Sequence, residues 1–111
     1  MAALDITPVP VNGGIGLEDS AVAASASGDT APVGPGRFLY VMNGDAAPHT
    51  ATVATPGSVA GLPLPEVAVV VPAGESAVVP LTPVFRGVGG RASITYDAVT
   101  SVNVAVFELE R

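Results

Sequence analysis

The sequence predicts an all-β fold: a single-domain β-sandwich or jelly-roll-like barrel of about eight short strands, with an extended N-terminal arm. Three observations lead to this prediction. Short segments rich in valine and threonine recur along the chain, 13 glycines and 11 prolines separate them, and no segment has a convincing helical period. A chain of 111 residues is also the usual length of one domain.

The N-terminal part of the chain differs in composition from the rest. We predict that residues 1–20 form an arm and a bend and that residues 21–111 form the β-sandwich domain. Residues 2–11 alternate apolar and polar side chains but include two prolines, which cannot donate to a β-ladder, so they form an edge strand or an extended arm. Within residues 17–27 a strand over residues 21–26 is preferred, and a short helix is the alternative.

The strongest strand signals follow Arg37, after a predicted break at residues 28–32. The predicted strands are 37–42, 49–55, 66–71, 76–81, 84–86, 91–97 and 102–109. Residues 37–42 are apolar on both faces, as in a strand that is covered on both sides. In the segment 91–97 we expect Ala92, Ile94 and Tyr96 to face inward. The expected aromatic core anchors, all in predicted strands, are Phe38, Tyr40, Phe85, Tyr96 and Phe107.

Two connections between these strands are also predicted. Residues 56–65 contain several glycines and prolines and are expected to form a loop without regular structure. Pro72-Ala73-Gly74 predicts a type I turn, with the proline in its second position and the glycine in its fourth.

Charge and composition exclude several classes of function. The net charge is −6 and only four residues are basic, too few for a nucleic-acid surface or for contact with an anionic membrane. Met1–Asp5 has neither the basic region nor the apolar core of a signal peptide, so we expect no export. Only 13 % of the residues are charged. The surface is therefore either an ordinary neutral one or is partly covered by a partner.

Reactive side chains are few. The chain has no cysteine and a single histidine, His49, which we interpret as a solvated residue at the start of a strand. A Ser-His-Asp arrangement is compatible with the composition because Asp45 and Asp97 are present, but no Gly-x-Ser-x-Gly motif supports it. Glu108 and Glu110 would share one face of a strand and are interpreted as a solvated end or as charges that discourage edge-to-edge pairing. We predict a protein without enzyme activity, cofactor or metal.

The candidate partner interface is the apolar series Leu4, Ile6, Val9 and Val11. These residues form either an ordinary first edge strand or an arm that lies on a neighbouring subunit by strand addition or groove packing. Deletion of residues 1–12 distinguishes the two. Loss of partner binding with a retained β signal supports the arm, whereas unfolding supports the edge strand.

A series of turn and strand motifs covers about two-thirds of the chain, from Phe38 to Leu109. The motifs are Tyr40-Val41-Met42-Asn43-Gly44, Thr50 to Thr55, Val71-Pro72-Ala73-Gly74, Gly90 to Tyr96 and Val99-Thr100-Ser101-Val102. In this series the chain resembles a family of small structural proteins of tailed bacteriophages, particularly phages of high-GC hosts. The resemblance implies a capsid decoration protein with a β-sandwich or barrel outside the shell, and it supplies no catalytic residues.

The function expected from the resemblance is that of a non-enzymatic virion protein on the capsid exterior, synthesised in the host cytoplasm. It would bind the assembled shell of the major capsid protein and stabilise it, with a homotrimer on a local threefold axis as a possible oligomer. Two alternatives stay open. One is a phage tail or head–tail joining component, and the other is a receptor- or glycan-binding β-module.

Overall fold

Two β-sheets packed face to face form the body of the protein. The computed structural model describes residues 2–10, 15–63 and 65–109. The strands are β1 (Ala2–Ala3), β2 (Ile6–Val9), β3 (Val22–Ala23), β4 (Asp29–Pro32), β5 (Arg37–Asn43), β6 (His49–Val53), β7 (Ser58–Val59), β8 (Leu62–Pro63), β9 (Val67–Val71), β10 (Ser76–Pro80), β11 (Arg91–Tyr96) and β12 (Val102–Leu109). A single helical turn, α1 (Leu17–Ser20), and two 3-10 turns, Pro83–Phe85 and Val88–Gly90, complete the secondary structure of these residues.

The strand order shows how the chain winds between the sheets. The first sheet has the order β1-β4-β11-β6-β9, and the second has the order β10-β5-β12-β2 with β3 also beside β12. The chain changes sheets between β4 and β5, between β5 and β6, and at each step from β9 to β12, which is the kind of winding found in jelly rolls. The predicted β-sandwich is confirmed. In the described part of the chain, eight strands are four residues or longer.

The main core lies between the sheets and follows the period of two in each strand. In β11, Ala92 and Ile94 are fully buried and Tyr96 packs against the same core, so the predicted inward set is confirmed. In β6 the residues at alternate positions are buried and the threonines between them are half-buried. Leucine, isoleucine and valine make up most of the fully buried side chains here, so close aliphatic packing holds the two sheets together.

A second, smaller apolar cluster lies on the outer face of the second sheet. Its buried members are Tyr40, Ala105 and Phe107. The ring of Phe107 lies 5.6 Å from that of Phe38 and 6.1 Å from that of Tyr40, between ring centroids. The segment around α1 covers this cluster by contributing Ile15 and Ala21. One face of β5 thus packs in the main core and the other lies under the segment around α1, which explains why both faces of this strand are apolar.

The N-terminal segment pairs with both sheets. Strand β1 runs parallel to β4, and β2 runs parallel to β12. Between them, the N–H of Leu4 donates to the carbonyl oxygen of Thr30 (2.8 Å), and Nη2 of Arg91 donates to the carbonyl oxygen of Leu4 (2.7 Å). The described part of residues 1–20 thus contributes strands to the sandwich, as the edge-strand interpretation expects.

Three predictions of strand or loop are wrong. Residues 29–32, predicted as part of a break, form β4, which lies between β1 and β11. Residues 58–63, predicted as irregular, form the β7–β8 hairpin, because the positive φ of Ala60 (53°) and Gly61 (82°) makes a tight two-residue turn. Phe85 lies in a 3-10 turn begun by Pro83 instead of a strand, although it is buried as expected.

Two further predictions are corrected in detail. The strand expected over residues 21–26 is limited to β3, and the helical alternative is realised as the single turn α1. The turn after β9 lies one residue later than predicted: the N–H of Glu75 donates to the carbonyl oxygen of Pro72 (3.1 Å). Gly74 then occupies the third position with a φ of 73°, where glycine is favoured.

Candidate functional site

Asp45, His49 and Asp97 form a polar cluster at one end of the sandwich. Nε2 of His49 lies 2.8 Å from Oδ2 of Asp45, and Nδ1 lies 3.3 Å from Oδ1 of Asp97. The side chain of His49 is only 10 % exposed, because it begins β6 on the core-facing side. The interpretation of His49 as a solvated residue is therefore wrong.

Asn43 and two backbone amides hold the carboxylates of this cluster in place. The buried side chain of Asn43 donates to the carbonyl oxygen of Val71 (3.0 Å) and accepts from the N–H of Asp45 (3.0 Å). Oδ1 of Asp97 accepts from the N–H of Thr50 (3.0 Å). The loop between β5 and β6 is thereby tied to the end of β9 and to the end of β11.

The electrostatics of the cluster favour a charged histidine. The hydrogen bond that Nε2 of His49 donates to the carboxylate of Asp45 raises the pKa of His49, with a further contribution from Asp97. In return, the hydrogen bond with His49 lowers the pKa of Asp45, and the N–H of Thr50 lowers the pKa of Asp97. A neutral imidazole would turn a lone pair toward one carboxylate, so the doubly protonated ring fits the geometry best.

This arrangement does not resemble a catalytic or metal centre. Both ring nitrogens of His49 face carboxylates, so neither is left to take a proton from a hydroxyl nucleophile. Asp45 lies at Nε2 of the ring and Asp97 at Nδ1, so the two carboxylates and the imidazole cannot all bind the same metal ion. Among residues 2–10, 15–63 and 65–109, no group of three or more His, Cys, Asp or Glu side chains is placed to hold a metal ion.

A second buried polar group, Asp29, lies on β4. Its Oδ2 accepts from the hydroxyl of Tyr96 (2.7 Å) and from the N–H of Ser25 (3.3 Å). Burial, and then the hydrogen bond to Asp29, raises the pKa of the Tyr96 hydroxyl. The tyrosine therefore stays a hydrogen-bond donor across the physiological pH range, and the pair joins β4 to the end of β11. No period or motif of the sequence predicts the pairing of these two residues.

Two clefts open on the second-sheet side of the molecule. The first has a volume of about 300 Å³ and the second about 340 Å³. The residues lining the first are Ala3, Leu4, Asp5, Thr7, Ser20, Val22, Val104, Ala105 and Val106, and those lining the second are Gly16, Leu17, Asp19 and Tyr40. Neither cleft includes His49.

The predicted partner interface is divided by the structure. Leu4 is only 5 % exposed and belongs to the main core, and Ile6 packs against the same core. Val9 is half-buried against the outer cluster of the second sheet. Val11 lies outside the described residues. Leu4 and Ile6 thus have little side-chain area left for another protein, and the partner role of the series stays a prediction.

The outer face of the second sheet is the better candidate for a contact surface. We define this outer face by the residues that alternate away from the main core on β2, β5, β10 and β12, together with α1 above them. Its centre is the buried cluster of Tyr40 and Phe107, whereas its margin is apolar and open: Val78 is 58 %, Leu109 51 % and Leu17 41 % exposed. The register places Val78 opposite Tyr40, so the exposed valine continues the apolar surface.

The outer face of the first sheet has a different composition. Its central positions, which alternate with the buried ones on β4, β6 and β11, are occupied by Thr30, Thr50, Thr52, Ser93 and Thr95. These short hydroxyl side chains remain compatible with water. The two outer faces therefore differ at their centres: short hydroxyl side chains occupy the centre of the first, whereas an apolar cluster occupies the centre of the second.

Comparison with known proteins adds no relative: no protein-family model, no curated protein and no solved structure matches this chain. No helix in the described parts of the chain is long and apolar enough to cross a membrane. The class that the fold defines is an all-β sandwich.

Proposed function

We propose that this protein is a non-enzymatic virion protein of a tailed bacteriophage that binds the outside of the assembled major capsid shell and stabilises it. The observation that carries the proposal is the outer face of the second sheet, where an apolar cluster is surrounded by exposed apolar side chains that binding to another protein would remove from water. Leu109 and Val78, both more than half exposed, are its most open side chains.

The sequence motifs that resemble phage decoration proteins support the same function. They fall on β5, on β6, on the turn after β9 and on β11, and these elements build both layers of one sandwich. The polar clusters that could have suggested chemistry make hydrogen bonds within the fold, and among the described residues Oδ1 of Asp29 is a buried atom without a partner. His49 is occupied by two carboxylates, and Asp29 is enclosed with Tyr96.

The stabilisation would follow from mass action. A protein that binds the assembled shell but not its free subunits lowers the free energy of the assembled state. When one copy contacts two neighbouring subunits, the first contact raises the effective concentration for the second, so individually weak apolar contacts are sufficient. Repetition at every equivalent site of the shell multiplies the effect.

The test uses shells of the phage that encodes this chain, prepared without the protein and then mixed with purified protein. We expect the protein to pellet with the shells and to raise the temperature at which they rupture. Leu109→Asp should abolish both effects, because it places a charge in the apolar contact. Leu62→Asp is the matched control, since Leu62 is 71 % exposed on the β7–β8 hairpin, away from the second sheet.

Shells that rupture at the same temperature with and without the protein would remove the stabilising role. The copy number in native particles separates the shell from the alternative location: on the order of hundreds of copies indicates the shell, whereas about a dozen indicates a tail or head–tail joint. Saturable binding of the purified protein to host cells would instead favour a receptor- or glycan-binding module.

A further inference from the structure

The edges of the two sheets are protected unequally. The two main sheets end in β1 and β9 and in β10 and β2, and the two-residue strand β3 lies beside β12 at the same edge as β2. Strand β1 has only two residues, β2 contains Pro8, and β10 ends in Pro80, and short strands and prolines are the usual means of preventing further strand pairing. Strand β9, Val67–Val71, has five residues with neither proline nor charge. It is the one edge of this set that has no such protection.

The backbone of β9 has free hydrogen-bonding groups on its outer side. The N–H of Asp97 donates to the carbonyl oxygen of Thr50 (3.1 Å), so Thr50 directs its backbone groups toward β11. Along an antiparallel strand, successive residues direct their backbone groups to opposite sides. Ala51, the next residue of β6, therefore bonds to Val69 on β9. Ala68 and Val70 therefore direct their N–H and C=O groups away from the sheet, where no described residue bonds to them.

The side chains of this edge are also open. Val70 is 62 % exposed on the outer face of the first sheet, and Ala68, on the same face, is exposed too. Val67, which points toward the core side, is still 37 % exposed because no strand lies beyond it. An extended segment placed along β9 would bond the free backbone groups and cover these valines at once.

We propose that β9 pairs two copies of this chain, antiparallel to each other, about a two-fold axis through Val69. This register is self-complementary: Ala68 of one copy faces Val70 of the other, and these are the residues with free backbone groups. Each such pair forms two hydrogen bonds, and the small side chain of alanine lies beside the larger one of valine. The first sheets of the two copies then form one continuous sheet.

The acidic charge of the chain does not oppose this pairing. Glu66, which precedes β9, would lie opposite Pro72 of the other copy. The two Glu66 residues are then separated by about six strand positions, or roughly 20 Å, which exceeds the screening length of about 8 Å at physiological ionic strength. Residues 67–71, which lie between the two Glu66 side chains, are uncharged and face the same five residues of the second copy. No like charges are therefore brought together, and a second molecule of the same chain is the occupant that this edge fits.

The dimer is expected to be weak. Specific protein contacts typically bury about 800 Å² on each side, and a pairing of two five-residue strands covers less than that. We therefore expect a dissociation constant between about 1 μM and about 1 mM. The measurement is sedimentation equilibrium of the purified full chain across that range of concentration, combined with hydrogen exchange of individual backbone amides.

Two variants test the strand and one controls for charge. Val70→Pro removes an outward N–H that β6 does not use, and Val70→Lys places a charge on the edge, so both should remain monomeric. Val84→Lys makes the same charge change at a valine that is 49 % exposed on a 3-10 turn, and it should dimerise like the parent chain. In the dimer, exchange at the amides of Ala68 and Val70 should slow by at least about tenfold at high concentration.

Three results would overturn the proposal: a monomer at every concentration, a dimer that persists in Val70→Pro, or a trimer, because a two-fold pairing closes at two copies. The experiment contains no capsid, so its outcome is independent of the proposed function. A protein that fails to dimerise can still bind shells, and one that dimerises can fail to do so.

Discussion

At the level of single residues, the few charged side chains connect parts of the chain that are distant in sequence. Nε of Arg37 donates to Oε2 of Glu108 (2.6 Å), and Nη1 of Arg37 donates to the carbonyl oxygen of Val33 (2.9 Å). Because Arg37 and Glu108 are partly exposed, this ion pair contributes less than about 1 kcal/mol. Its role is to fix where β5 and β12 end relative to each other, more than to add stability.

The closed cluster around His49 predicts how stability depends on pH. The pKa of His49 is raised in the folded protein, so its stabilising contribution is complete below the unfolded value of about 6.5 and is lost as the pH rises through the folded-state pKa. The pKa values of Asp45 and Asp97 are lowered, so their contributions are lost as the pH falls through those values. The cluster stabilises most between about pH 4 and pH 6.5.

The measurement is the urea midpoint, followed by circular dichroism, at intervals from about pH 5 to pH 9. For the parent chain the midpoint should fall as the pH rises above the unfolded-state pKa of about 6.5. In His49→Gln the fall should be largely absent, because His49 is the only histidine of the chain. Equal slopes in both proteins would show that the cluster does not titrate as proposed.

The sequence could not reveal these side-chain partners. Asp45 is four positions from His49, which is a local signal, but Asp97 is 48 positions away and meets it only because β11 lies beside β6. Asp29 and Tyr96 are 67 positions apart. Composition correctly indicates that reactive groups are few. Whether such a group is solvated or enclosed depends on strand pairing, which composition does not contain.

At the level of elements, the glycines that allow sharp turns differ in what surrounds them. Gly28, just before β4, has a φ of 96°, and a Cβ placed on it would lie 2.8 Å from the carbonyl oxygen of Ile94. Gly74, in the turn between β9 and β10, has a φ of 73° and no heavy atom within 4 Å of such a Cβ. Glycine is needed at position 28 both because φ is positive and because a Cβ would not fit, whereas at position 74 it is needed only because φ is positive.

Alanine substitutions should separate these two requirements. Gly74→Ala should lower the free energy of unfolding by about 1–2 kcal/mol, the cost of a left-handed conformation for a residue with a Cβ. Gly28→Ala should lower it by more than about 2 kcal/mol, since backbone on β11 must also move. Chemical denaturation of both variants gives the comparison. Equal losses of unfolding free energy in the two variants would show that the backbone of β11 moves without a measurable loss of stability.

Long strands were predicted better than short ones. Strands β5, β9, β10, β11 and β12 lie where the valine-rich or alternating segments predict them. The failures are β4, β7 and β8, which have only two to four residues, and β4 and β8 also include proline. Such segments form strands because a neighbouring strand provides their hydrogen-bonding partners, as β11 does for β4. Their own residues therefore give little indication of a strand.

At the level of the whole molecule, the N-terminal segment holds the two sheets together along one side. Its strands β1 and β2 lie in different sheets, and Leu4 between them is buried in the core that both sheets share. The period of the sequence suggested a strand here and its prolines suggested an edge. The sequence does not predict that this one short segment contributes a strand to each sheet, because the pairing depends on residues far along the chain.

Deletion of residues 1–10 should therefore weaken the fold itself. We expect a loss of at least about 2 kcal/mol, since the buried side chain of Leu4 alone accounts for that much. The readout is thermal unfolding followed by circular dichroism, with Asp5→Ala, an exposed residue of the same segment, as the control. A truncated protein as stable as the parent would show that the segment contributes nothing to the core and would return it to the role of a partner-binding arm.

The parallel pairing of β2 with β12 has a consequence for biosynthesis. Ile6 lies opposite Val106, about 100 residues further along the chain. A ribosome that adds roughly 5–20 residues per second needs on the order of 5–20 s to make that partner. Strand β2 thus leaves the ribosome long before its partner strand has been made, and the second sheet closes only when β12 has been translated.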